Sequence, residues 1–127
     1  MKSIPLHYLK VWRNIGYLLV GIVVILSVIS PSSNVELFRI NDKVGHFLAY
    51  FTLMAWFAQY HEKVDYKYLA IIFIGQGIAL EIVQTFLPER MGDVFDALTN
   101  TTGVLTAWYL ARTSLGRLLL RFETQIK

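Results

Sequence analysis

Three stretches of this 127-residue chain place ionisable side chains inside or beside long apolar segments. Residues 42–46 read Asp-Lys-Val-Gly-His and precede one apolar segment, and residues 88–96 read Pro-Glu-Arg-Met-Gly-Asp-Val-Phe-Asp and precede another. Glu81 lies inside the apolar stretch 68–87, which is long enough to cross a bilayer. A carboxylate at that depth is energetically costly and usually has a partner and a function. These residues are therefore the candidates for a functional site.

The residue types suit either catalysis or binding. An enzyme would use His46 as general base and Glu81 or Asp96 as its carboxylate partner, which makes these three the candidate catalytic residues. No serine belongs to the group, and the three nearby threonines have no diagnostic spacing. A binding protein would use the cationic side chains for an anionic head group or a peptide carboxylate, and the acids for ammonium or amide groups. A proton or ion relay through a buried Glu81 is a further alternative.

Neither a metal site nor a cofactor is predicted. Asp42, His46, Glu81 and Asp96 offer oxygen and nitrogen ligands for a divalent ion, but only one of them is a histidine and there is no His-Glu-x-x-His pattern. The chain has no cysteine, which excludes disulfides, thiolate nucleophiles and cysteine metal sites.

The composition indicates residence in a membrane. Hydrophobic residues make up 55% of the chain and charged residues only 17%, too few to cover the surface of a small soluble domain. The net charge of +3 comes from basic residues clustered at the two chain ends beside apolar segments. That distribution fits orientation in a bilayer, so we expect no nucleic-acid partner.

Four membrane-spanning helices are predicted within a single domain, residues 1–127, of the all-α class. They cover Asn14–Val35, Val44–Tyr60, Tyr68–Leu87, and a fourth segment that begins near Asp93 and runs through Ala97 to Ala111. A cleaved signal peptide is the alternative for the first, although its apolar region is long for that role. The tail Ser114–Ile126 has leucines and phenylalanine on one face and arginines on another, which predicts an amphipathic helix at the membrane interface or a plain solvated helix end.

The positions of Lys and Arg predict the orientation. Nine of them lie in the N-terminal segment, the turn between the second and third spans, and the tail, whereas three lie on the other side, at Arg39, Lys43 and Arg90. The excess places both termini in the cytoplasm of a bacterial inner membrane. The candidate site then falls in the outer half of the bilayer.

Helical spacing predicts that three polar stripes face one another, because lipid would not tolerate them. The stripes are Asp42, His46, Tyr50 and Leu53; then Gly77, Glu81, Gln84 and Pro88; and then Asp93, Asp96, Asn100 and Gly103. We expect Arg90 to fold back onto an acid, and the two glycines to allow close approach of the helices. A purely structural pair of Glu81 with Arg90 that fixes the helix register is the alternative.

These stripes carry a resemblance to the VanZ-like family of bacterial membrane proteins. The matching patterns are Asp42-Lys43-x-x-His46-Phe47-x-x-Tyr50, Gly77-x-x-x-Glu81-x-x-Gln84-x-Phe86 and Pro88-x-Arg90-x-x-Asp93-x-x-Asp96-x-x-x-Asn100-x-x-Gly103. They cover residues 41–103, about half of the chain, in the order and spacing of the family. The family is named for a member that raises resistance to the glycopeptide antibiotic teicoplanin, so the resemblance implies an association with glycopeptide resistance.

The sequence thus predicts a cell-envelope protein with an outward-facing polar pocket that binds an anionic or amphiphilic molecule, such as a lipid-linked precursor or a lipoglycopeptide. The expected binding residues are Asp42, Lys43, His46, Glu81, Gln84, Arg90, Asp93, Asp96 and Asn100. The alternatives are a small intramembrane enzyme acting on a lipid-linked substrate and a transporter. A transporter would require a homo-oligomer, since four short spans enclose little space.

Overall fold

The computed structural model describes residues 1–28, 35–87 and 94–126, and for residues 35–42 it describes the backbone alone. The described residues form five α-helices: α1 (Leu9–Val28), α2 (Val35–Ala58), α3 (Tyr66–Thr85), α4 (Val94–Leu110) and α5 (Leu118–Ile126). A short 3₁₀ helix, Lys63–Asp65, precedes α3, and a π-helical turn, Ala111–Leu115, joins α4 to α5. The β-structure of the described residues consists of an isolated bridge between Ser3 and His61. The predicted all-α class is confirmed.

Two helices begin earlier than the predicted spans. The first was expected at Asn14 and begins at Leu9, and the second was expected at Val44 and begins at Val35. The first prediction was wrong because it excluded charged residues, although a helix continues through charges that stay exposed, as Lys10 does. The first span was also expected to reach Val35, which instead opens α2. Helix α2 contains residues 44–58 of the second predicted span, whose bounds in the membrane stay a prediction.

Helices α2 and α4 approach one another at the level of their backbones. This approach requires glycine at position 103: a Cβ atom built there would lie 2.6 Å from the carbonyl oxygen of Phe47 and 3.1 Å from the amide nitrogen of Phe51. Gly77 on α3 likewise lies against the side chains of Asn100 and Tyr50. The predicted role of these two glycines in close helix packing is confirmed.

The core lies between α2, α3 and α4. Its side chains are apolar or aromatic and almost fully buried, and they include Tyr50, Leu53, Met54, Ala58, Leu69, Ala70, Phe73, Val104, Ala107 and Ala111. Helix α1 contributes little to it, because its buried residues are Gly16 and Ser27. Its large side chains Leu18, Ile22, Ile25 and Leu26 are exposed. Helix α1 therefore presents an apolar surface outward, which in a soluble protein is rare at this extent.

Within residues 1–28, 35–87 and 94–126, two helical segments are long and apolar enough to cross a membrane, Leu9–Val28 and Lys63–Thr85. Only 11% and 33% of their most apolar windows are buried, so neither resembles the covered core helix of a soluble protein. Helix α4 has 17 residues, at the lower limit of the roughly 17–25 that span a bilayer. The structure thus supports two spans, and four spans stay a prediction.

The tail is fixed to the other helices by two buried polar side chains. Gln59, at the end of α2, donates to the carbonyl oxygen of Leu115 (2.7 Å) and accepts from the amides of Leu118 (2.6 Å) and Leu119 (3.2 Å), so it satisfies amides at the start of α5. Glu123 on α5 accepts hydrogen bonds from the amides of His7 (2.6 Å) and Tyr8 (2.9 Å) and from the Trp12 indole (2.6 Å). These contacts place a carboxylate where the start of α1 carries partial positive charge.

The amphipathic pattern predicted the helix of the tail correctly, but it did not predict which face of that helix packs against the other helices. Leu118, Phe122 and Ile126 of the predicted apolar face are exposed, whereas Glu123 is buried. Burial disfavours the charged form of Glu123, but its three hydrogen bonds outweigh that effect and lower the pKa of this carboxyl below its ordinary value.

Gly103→Ala is expected to destabilise the protein. The new methyl group meets backbone atoms of α2 that cannot rotate away, so the helices must separate, at a cost of about 1–3 kcal/mol. Thermal unfolding in detergent should therefore show a lower midpoint. The matched control is Gly75→Ala on α3, where an added Cβ meets nothing within 4 Å. Equal midpoints for the two variants would contradict the close approach.

Glu123→Gln is expected to loosen the tail in a pH-dependent manner. A lowered pKa in the folded state means that Glu123 contributes its full stability above its ordinary pKa of about 4.3 and loses it as the pH falls through the lowered value. The variant should be less stable than the parent at pH 7, and the gap in unfolding midpoint should close in acid. Glu62→Gln is the control, because Glu62 precedes the 3₁₀ helix without a side-chain cap. If the difference in unfolding midpoint between the variant and the parent does not change with pH, ionised Glu123 does not stabilise the tail.

Candidate functional site

Helices α2, α3 and α4 bring five polar side chains together, and we call this group the polar cluster: Lys43, His46, Glu81, Asp96 and Asn100. Four of them come from α2 and α4, the pair of helices held together at Gly103. Glu81 enters from α3, about 6 Å along the helix axis from Gly77. The close packing at the two glycines therefore positions the cluster.

Asp96 joins the two cationic or basic side chains of α2. Its Oδ1 lies 2.8 Å from the Lys43 ammonium, and its Oδ2 lies 3.8 Å from His46 Nε2. The side chains of Asp96 and His46 are each 9% exposed, whereas that of Lys43 is 43% exposed. The cluster thus has a half-exposed cation at its edge and a buried carboxylate and imidazole behind it.

Asn100 fixes the orientation of the His46 ring. Its side-chain oxygen lies 2.9 Å from His46 Nδ1 and acts only as an acceptor, so Nδ1 carries a hydrogen. In the neutral ring the lone pair is then on Nε2, the nitrogen that faces Asp96. Asn100 is 2% exposed and packs against Gly77, which leaves it little freedom to turn.

Glu81 completes a group of three side chains with atoms suited to metal coordination. One carboxylate oxygen of Glu81, one of Asp96 and a ring nitrogen of His46 all lie within 4.8 Å of one another. Glu81 is 7% exposed although α3 is one of the two apolar segments long enough to span a membrane. The buried carboxylate therefore faces the other helices, as its stripe predicted.

The other predicted site residues lie elsewhere or outside the described residues. Gln84 is buried, but it donates to the carbonyl oxygen of Ser27 (2.6 Å) and so binds α1 instead of joining the polar cluster. The side chain of Asp42 and the whole of Arg90 and Asp93 lie outside the described residues, so the expected contact of Arg90 with an acid stays a prediction.

Sequence reasoning missed Gln76. This residue directly precedes Gly77. The side-chain amide nitrogen of Gln76 and the hydroxyl of Tyr50 are both buried. Within the described residues, neither of these two groups has a hydrogen bond of standard geometry. An amide inside an apolar span was the available signal. Tyr50 follows His46 by four residues on α2 and Gln76 precedes Glu81 by five on α3, so both lie farther along their helices from Lys43.

The threonines of α4 do not supply a nucleophile to the cluster. Thr99, Thr101 and Thr102 each donate the hydroxyl hydrogen to the carbonyl oxygen four residues earlier in their own helix. A groove of about 470 Å³ lies near the opposite end of α4 and is lined by Leu105, Trp108, Tyr109, Arg112 and Thr113. Asp96 and Trp108 are twelve residues apart, or about 18 Å along a helix, so this groove is separate from the polar cluster.

The sequence model of the VanZ/LLP1 family matches residues 4–119. The chain belongs to the VanZ/LLP1 family. This match confirms the family and extends beyond the segment 41–103, so the start of α1 and the π-helical turn also belong to the family's pattern. Among curated proteins and solved structures, none matches the chain significantly. Family membership and the two apolar helices together indicate a membrane protein.

Asn100→Ala is expected to destabilise the polar cluster. The change removes the acceptor 2.9 Å from His46 Nδ1 and the packing against Gly77, which together cost about 1–3 kcal/mol. Thermal unfolding in detergent should show the loss. Thr102→Ala on the exposed side of the same helix should leave the unfolding midpoint unchanged. If both variants unfold alike, the contact between Asn100 and His46 does not stabilise the protein.

Proposed function

We propose that this chain is a cell-envelope membrane protein whose polar cluster binds the head group of an anionic or amphiphilic envelope molecule. In this proposal four helices cross the cytoplasmic membrane and both termini are cytoplasmic. The cluster then lies in the outer half of the bilayer, at the depth of lipid head groups. Two ligands that are anionic or amphiphilic in this way are a lipid-linked cell-wall precursor and a lipoglycopeptide.

The single observation that carries the proposal is the ion pair of Lys43 with Asp96 beside His46 and Asn100. Lys43 is half-exposed, so a phosphate or carboxylate reaches its ammonium without opening the core. The buried carboxylate and imidazole behind it are suited to hydrogen-bond the amide, hydroxyl or ammonium groups of the same head group. A site of mixed charge favours a ligand that carries both an anionic group and donors.

The surfaces beside the cluster support an amphiphilic ligand. Val44 and Leu48 on α2, and Val94, Phe95 and Leu98 on α4, are large apolar side chains on the exposed surface. They alternate along the two helices with the residues of the polar cluster. A ligand whose head group contacts Lys43 would thus have apolar helix surface available for its lipid chain. A purely polar, water-soluble ligand would not use this surface.

One observation favours an enzyme as the second candidate. The contact of Asn100 with Nδ1 leaves Nε2 of His46 as the basic nitrogen, and Asp96 Oδ2 lies 3.8 Å from it. That is the tautomer a general base requires. Since the threonines of α4 bond their own helix, this enzyme would activate water and hydrolyse a lipid-linked substrate.

The family's name supplies the biological part of the proposal. Its association with teicoplanin resistance leads us to propose that this chain lowers susceptibility to teicoplanin through the polar cluster. A strain that carries the His46→Ala variant should then be as susceptible as one that lacks the protein, at equal protein abundance.

Lys43→Gln is expected to weaken binding of a polyprenyl pyrophosphate to the protein in lipid nanodiscs by at least about tenfold, because a charge-assisted hydrogen bond contributes about 1.5–3 kcal/mol. Titration calorimetry measures the affinity. Lys67→Gln is the matched control: Lys67 lies at the start of α3, on the predicted cytoplasmic side, over the ring of Tyr68.

The same titration separates the two candidates. Equal affinity in Lys43→Gln, Lys67→Gln and the parent would contradict binding at the polar cluster. If phosphate is released during the titration and His46→Ala abolishes this release, the protein is an enzyme and the binding hypothesis is wrong.

A further inference from the structure

We infer that His46, Glu81 and Asp96 form a binding site for a divalent transition-metal ion such as Zn²⁺ or Mn²⁺. The three side chains come from α2, α3 and α4, and their ligand atoms lie within 4.8 Å of one another. The inference goes beyond the proposed function, because it requires no envelope ligand.

The ligand atoms lie within 4.8 Å of one another, so a common ion draws them together by up to about 1.4 Å. Ligand atoms placed about 2.1 Å from a common ion in a tetrahedral arrangement are about 3.4 Å apart. His46 Nε2 and Asp96 Oδ2 are 3.8 Å apart, so an ion between them requires a movement of a few tenths of an ångström. Helices held at Gly77 and Gly103 keep the backbones of all three residues in place, and side-chain rotation supplies the remainder.

The hydrogen-bond partners around these ligands provide a second, independent argument. A histidine that binds a metal through Nε2 ordinarily donates its Nδ1 hydrogen to an oxygen acceptor, which fixes the tautomer and the ring. Asn100 supplies that acceptor: its side-chain oxygen lies 2.9 Å from Nδ1, and the residue is 2% exposed. Asp96 is likewise held at Oδ1 by Lys43, which leaves Oδ2 directed toward His46.

The ligand types select the class of ion. One imidazole and two carboxylates suit Zn²⁺, Mn²⁺ or Fe²⁺, whereas Ca²⁺ prefers six to eight oxygen ligands and Cu⁺ prefers sulfur. Three protein ligands leave a coordination position for water or a ligand atom. The sequence offered these three residues with Asp42 as ligands of a divalent ion, but no metal site was predicted, because only one of them is a histidine and the chain has no His-Glu-x-x-His pattern.

Cobalt is the probe for the test. Purified full-length protein in detergent is first stripped of metal with a chelator and then titrated with Co²⁺, whose visible absorption reports coordination by protein ligands. We expect one Co²⁺ per chain, displaced by Zn²⁺. His46→Ala and Glu81→Gln should each weaken Co²⁺ binding at least tenfold. His7→Ala is the matched control, because His7 is an exposed histidine outside the polar cluster. This variant should bind Co²⁺ with the affinity of the parent.

A second measurement does not depend on the variants folding. The parent protein with Co²⁺ should show one strongly shifted, slowly exchanging imidazole N–H signal in proton NMR, because Asn100 retains the Nδ1 hydrogen. Absence of Co²⁺ absorption and of this signal in the parent would overturn the inference. Equal binding by the parent, His46→Ala and Glu81→Gln, each confirmed as folded by its unfolding transition, would overturn it as well.

Two titrations of the parent protein distinguish this inference from the proposed function. Co²⁺ is titrated without an envelope ligand, and the polyprenyl pyrophosphate is titrated after metal has been removed with the chelator. Head-group binding without Co²⁺ binding would therefore refute only the metal site, and Co²⁺ binding without head-group binding would refute only the proposed function.

Discussion

The contact between Asp96 and the two side chains of α2, Lys43 and His46, is the interaction on which the rest of the site depends. The Asp96 side chain is 9% exposed among apolar helices, and its carboxylate is tolerated because the Lys43 ammonium lies 2.8 Å from it. Lys43 lies on one of its oxygens and His46 near the other, so each oxygen has a defined neighbour. This arrangement fixes α4 in register against α2 and sets where Glu81 must enter.

Packing at the glycines and the polar contacts reinforce one another. Gly103 lets the backbones of α2 and α4 approach, and only at that distance do Lys43 and His46 reach Asp96 and Asn100. A larger residue at 103 would separate the partners as well as the helices. The polar cluster and the close packing thus occur between the same two helices.

Helical spacing gave the inward faces of α3 and α4, because residues that share a face recur with a period near 3.6 and buried polar groups are rare enough to mark that face. Glu81, Asp96, Asn100 and Gly103 were placed on those faces from the sequence. The period does not say which neighbour a face meets, so Gln84 was assigned to the polar cluster although it contacts α1. The cap that Glu123 provides joins residues more than 100 positions apart, and no local pattern predicts it.

The most direct test of the account is the distance between His46 and its carboxylate neighbours in a lipid bilayer. The double variant His7→Gln/His61→Gln leaves His46 as the single histidine, so nitrogen labelling of histidine and carboxyl-carbon labelling of Asp and Glu isolate this contact in solid-state NMR. We expect dipolar coupling to a carboxyl carbon within about 5 Å, because a C–O bond adds roughly 1.2 Å to the 3.8 Å between Nε2 and Asp96 Oδ2. A spectrum in which no carboxyl carbon couples to the His46 ring would contradict the convergence of the three helices.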